Sequence, residues 1–228
     1  MDQFKDIKRK DIGFRVMDNF ITSSWSYWNL YANEQWEPKT LQTIDNILPP
    51  NGTMYDIGAW MGPMSLWAAK TKQARVIAIE PDPEAYRQLN NNIALNKLDS
   101  LITTLNIAIT DQEGIGKLGI IMNGDSASSM TRPANQKQVE VECHTLRWLT
   151  DRYGPVDVIK MDIEGSESLI IPDFEPVLWS NCKYLVLALH QRWYVEKHQN
   201  TDMLSILKDW DVKQIEGDNY LCKSKGAK

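Results

Sequence analysis

Two carboxylates and a histidine stand directly after apolar runs in the second half of the chain. Asp162 and Glu164 follow the run at residues 156–161, and His190 follows the run at residues 184–189. If both runs are neighbouring parallel strands, which lie about 4.8 Å apart, the three side chains meet at one edge of a sheet. Because nearby carboxylates raise the proton affinity of an imidazole, this cluster predicts a general base that removes a proton from an acceptor hydroxyl.

Each of these residues also has an ordinary structural interpretation. Asp162 could accept hydrogen bonds from the backbone of the turn that follows it, and Glu164 and Glu167 could place negative charge near a helix N-terminus. His190 could be a hydrogen-bonded histidine at a strand end. The side chains of Asp162, Glu164 and His190 are also suitable ligands for a divalent cation. Their clustering at the ligand-binding edge favours a functional role over three separate structural ones, and a metal site is the less favoured form of that role.

A turn with two glycines follows an earlier apolar run and is suited to a cofactor. The segment reads Asp56-Ile-Gly-Ala-Trp-Met-Gly62, and its glycines allow backbone amides to turn tightly and approach a ligand beside a helix N-terminus. Glu80 closes the next run, where a carboxylate accepts hydrogen bonds from both hydroxyls of a ribose. Nucleoside binding is therefore predicted, and the alternative is that Glu80 caps the helix that begins near Pro83. The glycine spacing departs from the dinucleotide fingerprint, which disfavours a nicotinamide-dependent dehydrogenase.

The alternation of strand and helix patterns predicts the elements that position these residues. Strands are predicted at residues 54–57, 76–80, 101–109, 156–161 and 184–189, with helices at 64–70, 83–96, 145–152 and 164–171. Shorter strands at 117–122 and 139–143 flank a polar loop at 123–138, and a helix at 202–209 precedes a terminal hairpin of strands at 212–215 and 220–223. We therefore expect an α/β fold with a seven-stranded, mostly parallel sheet, an antiparallel edge hairpin and helices on both faces. Such a sheet binds its ligand outside the carboxyl ends of its strands.

The chain is interpreted as one main domain at residues 37–228, preceded by an N-terminal appendage at residues 1–36. The main domain opens with a predicted helix at 37–48, where Pro38 suits the first turn. The appendage is too apolar for a disordered tail and too irregular to predict a helix. Its aromatic residues are Trp25, Tyr27, Trp28, Tyr31 and Trp36. We expect it to fold over the active site.

Composition and charge exclude several classes of protein. The 228 residues include 25 Lys and Arg against 30 Asp and Glu, and this formal net charge of -5 gives no bulk attraction to nucleic acid or to an anionic membrane. The three cysteines lack metal-binding spacing and favour a reducing compartment, so a cytoplasmic location is expected. The N-terminus has no signal-peptide core and no apolar stretch approaches about 18 residues, so neither export by that route nor a membrane span is expected.

Four segments together resemble the FkbM family of S-adenosylmethionine-dependent methyltransferases. They read Asp56-Ile-Gly-Ala-Trp-Met-Gly-Pro63, Ile79-Glu-Pro-Asp-Pro83, Asn91-Asn-Ile-Ala-Leu-Asn96 and Ile159-Lys-Met-Asp-Ile-Glu-Gly-Ser-Glu167. The segment Trp36-Glu-Pro-Lys-Thr-Leu41 also resembles the lead-in helix of the family, and Gly124-Asp-Ser-Ala-Ser-Ser-Met130 resembles its serine-containing loop. The similarity runs from about Trp36 to His190. Trp60 and Met61 stand where the family commonly has a smaller pair of the Asn-Ile type, which makes this loop bulkier.

The resemblance implies a Rossmann-like class I methyltransferase fold for residues 37–228. It also implies S-adenosyl-L-methionine as the cofactor, with S-adenosyl-L-homocysteine as the product. Asp56, Gly58 and Gly62 would surround the methionine part of the cofactor, and Glu80 would bind its ribose. The full set of predicted cofactor-binding residues is Asp56, Gly58, Ala59, Gly62, Glu80, Pro81, Asp82, Asn106 and Asp162.

The expected activity is O-methylation of a small-molecule or sugar-containing acceptor, with His190, Asp162 and Glu164 as catalytic residues. Oxygen is expected because of the family resemblance and because no Asn-Pro-Pro-Tyr type motif follows the fourth strand. Lys160 is expected inside a buried strand, where it neutralises a neighbouring carboxylate. One alternative is an RNA ribose methyltransferase, which the acidic balance disfavours. The other is a non-catalytic nucleoside-binding module, in which Glu80 would matter and His190 would not.

Overall fold

The structure is a computed structural model. It describes residues 4–18, 24–122, 124, 126–131, 137–173 and 182–225, and of these the side chains of residues 24–26 and 173 are left out. The predictions for the Trp25 side chain and for part of the polar loop at 123–138 therefore lie outside the described residues.

The described elements alternate as the sequence predicted. The strands are β1 (Phe4–Arg9), β2 (Ile12–Met17), β3 (Thr53–Ile57), β4 (Arg75–Ile79), β5 (Ile102–Leu105), β6 (Ala108–Thr110), β7 (Gly114–Ile120), β8 (Lys137–Thr145), β9 (Val156–Met161), β10 (Cys182–Ala188), β11 (Trp210–Glu216) and β12 (Asn219–Ser224). The helices are α1 (Ser24–Ala32), α2 (Pro38–Ile47), α3 (Pro63–Lys72), α4 (Pro83–Leu95), α5 (Leu146–Tyr153), α6 (Glu167–Ile170) and α7 (Met203–Ile206). Single 3₁₀ turns lie at Ile171–Asp173, Gln191–Trp193 and Glu196–His198.

A seven-stranded sheet forms the centre of the fold, with strand order β11-β12-β10-β9-β3-β4-β5. The five strands from β10 to β5 run parallel, whereas β12 is antiparallel to both β10 and β11. This confirms the predicted mostly parallel sheet with an antiparallel edge hairpin. The chain leaves β3 in one direction towards β4 and later enters β9 on the other side, so the sheet has its switch point between β3 and β9.

The parallel strands are largely buried on both faces, which is why apolar residues predominate in β3, β4, β9 and β10. Met54 and Val158 pack into a cluster on one face, together with residues of α2, α3 and α4. Tyr55 and Ile159 pack into a second cluster on the other face, with residues of α5 and α7. Helices therefore cover both faces of the sheet, as predicted.

Residues 101–109 do not form the single strand that their apolar character predicted. β5 ends at Leu105 in the main sheet, and β6 pairs with β8 in a separate three-stranded sheet of order β6-β8-β7. Between them, Asn106 donates side-chain hydrogen bonds to the carbonyl oxygens of Glu80 (2.8 Å) and Pro81 (3.2 Å). The pairing of β4 with β5 ends at Leu105, and the Asn106 side chain binds the next two carbonyl oxygens of the chain that follows β4.

The N-terminal segment is more regular than its sequence pattern predicted. It forms the hairpin of β1 and β2 and then the helix α1, although no helix was predicted there. Trp28 and Tyr31 are fully buried in the same cluster as Met64 and Leu66 of α3. The prediction failed because large apolar residues lie on more than one side of α1, with Trp28 buried and Leu30 exposed, and this obscures the helical period. Across the described residues, no helix combines the length and apolar character that a membrane span requires.

Candidate active site

A cavity of about 380 Å³ lies over the carboxyl ends of β3, β4 and β9, within the range of small-molecule sites. Residues of both the predicted cofactor site and the predicted catalytic cluster line it. The predicted residues that line it are Gly58, Ala59, Glu80, Pro81, Asp162, Glu164 and His190. Residues that the sequence did not assign to the site also line it, namely Tyr27, Trp36, Glu37, Trp60, Lys160 and Ser166. Asp56, Gly62, Asp82 and Asn106 are absent from the described lining.

Gly58 allows the ends of β3 and β9 to approach each other closely. Its φ is +80°, and a Cβ atom there would stand 1.9 Å from the carbonyl oxygen of Asp162. The amides of Gly58 and Ala59 both donate to the carbonyl oxygen of Ile79, at 3.0 and 2.9 Å. The expectation that amides of this turn point to a ligand is therefore wrong for these two, because they tie β3 to β4.

Replacing Gly58 by alanine should destabilise the fold by more than the positive φ alone would cost, because the added Cβ atom would also clash with the Asp162 carbonyl oxygen. Gly217 also has a positive φ, of +50°, but open space around it, so Gly217→Ala is a control for the cost of positive φ. We expect Gly58→Ala to lower the free energy of unfolding by about 2 kcal/mol more than Gly217→Ala, measured by urea denaturation. Equal losses would mean that the turn relaxes without cost.

Asp56 and Gly62, both predicted to contact the cofactor, lie behind the cavity wall. Asp56 is 0% exposed and accepts a hydrogen bond of 2.5 Å from the Ser65 hydroxyl. Burial raises the pKa of Asp56, although Lys160 opposes this shift. Gly62 has φ +93°, and a Cβ there would meet the Leu89 side chain at 2.6 Å. Both residues therefore position α3, which contributes to the cavity wall. Asp56 binds Ser65 of α3, and the absence of a side chain at Gly62 lets the start of α3 lie close to Leu89 of α4.

Glu80 presents a carboxylate that is already oriented. It is 6% exposed, and its two oxygens accept hydrogen bonds of 2.8 Å from the amides of Trp60 and Asp82. Burial raises the pKa of Glu80 to about 8, although these amides oppose the shift. Each carboxylate oxygen keeps a second lone pair for a ligand hydroxyl. The alternative that Glu80 caps α4 is wrong, since Asp82 caps this helix by accepting from the amides of Glu84 and Ala85.

Asp82 also attaches the serine-containing loop to the sheet, which explains why it does not line the cavity. Its Oδ2 accepts hydrogen bonds from the Ser128 hydroxyl (2.9 Å) and from the Gly124 amide (3.3 Å). The Trp60 indole donates to the carbonyl oxygen of Gly124 at 2.9 Å. Through these bonds Ser128 and its neighbour Ser129 reach the cavity wall.

Lys160 is the buried cation that the sequence predicted. Its Nζ donates to the carbonyl oxygen of Gly58 at 3.0 Å and lies 3.4 Å from Asp162 Oδ2 and 3.8 Å from Asp56 Oδ1. Burial alone would lower the pKa of Lys160, but these carboxylates outweigh it and hold the pKa above its ordinary value. The ammonium group therefore stays charged and connects β3 with β9 beneath the cavity.

His190 lies among three carboxylates at the end of β10. Its Nε2 is 3.7 Å from Asp162 Oδ1 and 3.6 Å from Glu164 Oε1, and its Nδ1 is 3.3 Å from Glu167 Oε1. Burial lowers the pKa of His190, but the Glu167 hydrogen bond and the surrounding charges outweigh it and raise the pKa to about 9. The predicted convergence of Asp162, Glu164 and His190 is thus confirmed.

Glu167 orients the histidine through Nδ1, whereas the sequence had pointed only to Asp162 and Glu164 as the carboxylates near it. Glu167 is 0% exposed, and its carboxylate also accepts hydrogen bonds from the amides of Ile163 (2.9 Å) and Gly165 (2.8 Å). Because a carboxylate only accepts hydrogen bonds, Nδ1 of His190 donates to it and Nε2 is left to accept a proton. The sequence placed Glu167 near a helix start but held no signal that it reaches the end of β10.

The switch point between β3 and β9, with a polar cavity directly over it, is where doubly wound sheets bind nucleoside cofactors. The whole arrangement is a Rossmann-like class I methyltransferase fold, which confirms the predicted fold class. Residues 56–213 match the family model of the methyltransferase FkbM domain. The chain therefore belongs to the FkbM family of methyltransferases, as its motifs predicted.

This chain is similar to several curated proteins and solved structures, each over a different share of its length. Methyltransferase sdnD of Sordaria araneosa is 25% identical over 173 residues, which are 61% of this chain and 67% of that protein. The tRNA (guanine(37)-N(1))-methyltransferase of Danio rerio is 30% identical over 93 residues, 41% of this chain and 19% of that protein. The chain thus spans about two thirds of the first relative and about a fifth of the second. A precorrin-6y C5,15-methyltransferase structure from Geobacter metallireducens has a TM-score of 0.47 and 13% identity, covering 90% of this chain and 89% of that chain.

Proposed function

We propose that this chain transfers a methyl group from S-adenosyl-L-methionine to a hydroxyl oxygen of a small-molecule or sugar-containing acceptor. One observation carries the proposal: Glu80 and His190 line the same cavity. Glu80 would bind the ribose of the cofactor, and the His190 imidazole is held in place by the hydrogen bond of its Nδ1 to Glu167. Cofactor and acceptor would meet in this space, as an in-line methyl transfer requires.

The charge of the cavity wall supports this cofactor. Among the described residues of the lining, Lys160 is the only lysine or arginine, whereas the carboxyl groups are Glu37, Glu80, Asp162 and Glu164. S-adenosylmethionine carries a sulfonium, an ammonium and one carboxylate. Its net positive charge would favour the ionised form of these carboxyl groups, since burial raises the pKa of both Glu37 and Glu80. A nicotinamide dinucleotide would bring a doubly charged pyrophosphate to the same carboxylates, which like charge disfavours.

The assignment of Glu80 to the ribose can be tested by its removal. Glu80→Ala takes away an acceptor for both ribose hydroxyls, so we expect the Kd for S-adenosylhomocysteine to rise about 10- to 100-fold in calorimetric titrations. Glu84→Ala is the control, since Glu84 pairs with Arg87 on the surface of the same helix. An unchanged Kd in Glu80→Ala would mean that Glu80 does not bind the cofactor and has only a structural role, through its hydrogen bonds from the Trp60 and Asp82 amides.

The histidine and its neighbours would provide the proton transfer. When bound, S-adenosylmethionine supplies an electrophilic methyl group. His190 Nε2 would take the proton of the acceptor hydroxyl, while Glu167 holds the imidazole through Nδ1. Asp162 and Glu164 lie 3.6–3.7 Å from Nε2, and their charges would stabilise the imidazolium that forms.

The pH profile of the reaction should follow the protonation of His190. The pKa of about 9 means that most of the imidazole is protonated at pH 7 and that the basic form accumulates as the pH rises. We expect kcat at saturating cofactor to increase about tenfold per pH unit from pH 6.5 to about pH 8.5 and to level off above pH 9. The profile is measured by initial rates in overlapping buffers. A kcat that falls over this range would be inconsistent with a histidine base.

The remaining cavity wall supports a hydroxyl-rich acceptor. Ser128, Ser129 and Ser166 line it with hydroxyl groups, and Trp36 and Trp60 add flat aromatic faces. Hydroxyls and aromatic faces together suit a sugar ring or a similar amphipathic molecule. RNA is a competing acceptor, because the Danio rerio relative is a tRNA methyltransferase. The net charge of -5 and the acidic wall favour the small acceptor.

Incubation with methyl-labelled cofactor and separate panels of glycans, nucleotide sugars and tRNA tests the acceptor class. The proposal predicts alkali-stable label on a hydroxyl oxygen of a small acceptor. Label in tRNA alone would favour the RNA alternative. A chain that binds the cofactor and methylates no acceptor in any panel would favour the non-catalytic nucleoside-binding module.

Metal dependence is tested in the same assay. One ligand atom each from Asp162, Glu164 and His190 lies within 4.8 Å of the other two, so a divalent cation is the alternative use of this cluster. The proposal predicts unchanged turnover after treatment with EDTA. Loss of turnover that is restored by added Mg²⁺ or Mn²⁺ would reassign the three residues to a metal site.

A further inference from the structure

Two buried polar groups in the wall of the cavity lack a hydrogen-bond partner among the described residues. They are the hydroxyl group of Tyr27 and the Oε2 atom of Glu37. Buried polar atoms in native proteins are nearly always hydrogen-bonded. Two such atoms in one cavity therefore indicate a ligand that supplies one acceptor and one donor.

The Glu37 side chain does not cap the helix that it precedes. Glu37 is the N-cap residue of α2, where a side chain would usually accept from an amide of the first turn. Here the Thr40 amide and hydroxyl donate instead to Glu216 Oε1, at 2.7 and 3.0 Å. Glu37 also has φ +39°, a left-handed conformation that costs energy for a non-glycine residue and is concentrated at functional sites.

Glu37 has more carboxylates than cations around it. Burial raises the pKa of Glu37 to about 7, the charge of Asp162 adds to this shift, and the charge of Lys160 opposes it. The ammonium group of Lys160 is already bound to the Gly58 carbonyl and lies beside Asp162 and Asp56. A ligand ammonium would therefore relieve the excess of negative charge at this wall.

Tyr27 provides the complementary group. It is held by aromatic contacts, with its ring centroid 4.4 Å from Trp60 and 5.0 Å from Trp36, both in edge-to-face geometry. Burial raises the pKa of Tyr27 well above its ordinary value, so the hydroxyl stays protonated and donates. A carboxylate is the acceptor that gains most from such a donor.

We propose that Glu37 and Tyr27 bind the amino-acid end of S-adenosylmethionine, with Glu37 accepting from the α-ammonium group and Tyr27 donating to the α-carboxylate. This inference rests on the proposed function and extends it to the N-terminal segment. The methionine part of the cofactor would then be recognised by side chains of residues 27 and 37, where the glycine motif alone had pointed to the turn at residues 56–62.

Calorimetric titration with two ligands tests the proposal independently of turnover. S-adenosylhomocysteine has the amino-acid end, and methylthioadenosine keeps the adenosine and the sulfur but lacks that end. Wild type should bind S-adenosylhomocysteine at least about tenfold more tightly than methylthioadenosine. Glu37→Gln should weaken S-adenosylhomocysteine by about 10- to 100-fold, and Tyr27→Phe by about 3- to 10-fold. Both variants should change the Kd for methylthioadenosine less than about threefold.

Two control variants separate ligand contact from packing. Tyr55→Phe removes a buried hydroxyl that donates to Gly154 away from the described cavity lining, and Glu34→Gln removes the charge of an exposed carboxylate that lies three residues before Glu37 and outside that lining. Neither should change the preference for S-adenosylhomocysteine. The inference is overturned if Glu37→Gln leaves that preference intact or weakens both ligands equally. Wild type that binds neither ligand would instead refute the proposed function.

Discussion

Replacing His190 by alanine is expected to lower turnover by about 10²- to 10⁴-fold and to change the Kd for S-adenosylhomocysteine less than about twofold. The reason is the separation of roles within the cavity. His190 would act on the acceptor proton, whereas Glu80 would hold the ribose of the cofactor at the end of β4. Single-turnover rates with labelled cofactor and calorimetric titrations measure the two effects.

His198→Ala is the matched control for the loss of a histidine. His198 is half-buried, lies outside the described cavity lining and has its Nδ1 3.3 Å from the Thr201 hydroxyl. It should retain full turnover. Above pH 9, where His190 is largely in its basic form, Glu167→Gln should give an intermediate loss, because it keeps a hydrogen-bonding side chain at Nδ1 but removes the charge that stabilises the imidazolium formed in the reaction. Near wild-type turnover in His190→Ala would contradict both the base and the metal-ligand assignments.

Replacing Lys160 by methionine is expected to lower the free energy of unfolding by about 3–5 kcal/mol, because the fully buried Asp56 loses its only close cation among the described residues. For a chain of this length the loss corresponds to a fall in Tm of about 10 °C. Burial already raises the pKa of Asp56, and the variant loses the cation that opposes this. Folding then binds a proton, so the loss should grow as the pH rises above the ordinary pKa of an aspartate. Urea denaturation between pH 4 and pH 8 measures this trend.

Lys183→Met provides a surface comparison. Lys183 is 3.2 Å from Asp157, but its side chain is 53% exposed, so its removal should cost less than about 1 kcal/mol. The double variant Lys160→Met with Asp56→Asn should recover part of the stability, because it removes the unpaired charge as well. A Lys160→Met protein as stable as Lys183→Met would contradict the assignment of Lys160 as the cation that holds β3 and β9 together.

The central sheet could be predicted because its physical cause is local. A parallel strand buried on both faces favours a mainly apolar run; residues 184–189 are apolar throughout, and residues 156–161 are apolar apart from Asp157 and Lys160. The break at Asn106 could not be predicted in the same way. It depends on side-chain hydrogen bonds to Glu80 and Pro81, which are distant in sequence.

The candidate site shows the same limit. Asp162, Glu164 and His190 could be predicted because strand ends place polar residues at one sheet edge. The role of Glu167 depends on its reach to the end of β10, which only the packed structure defines. The place of Glu37 in the cavity wall could not be predicted for a related reason, since an N-cap side chain usually binds the first turn of its helix and here Glu216, far along the chain, accepts the Thr40 amide.

Calorimetric titration of the purified chain with S-adenosylhomocysteine and, separately, with NAD tests the central claim most directly. The claim is that the cavity over β3, β4 and β9 is a site for S-adenosylmethionine. We expect one S-adenosylhomocysteine to bind per chain, with Glu80→Ala weakening it, and no heat of binding from NAD. Saturating S-adenosylhomocysteine, at about 100 times its Kd, should also stabilise the fold by about 2.7 kcal/mol. Binding of NAD in preference to S-adenosylhomocysteine would contradict the account.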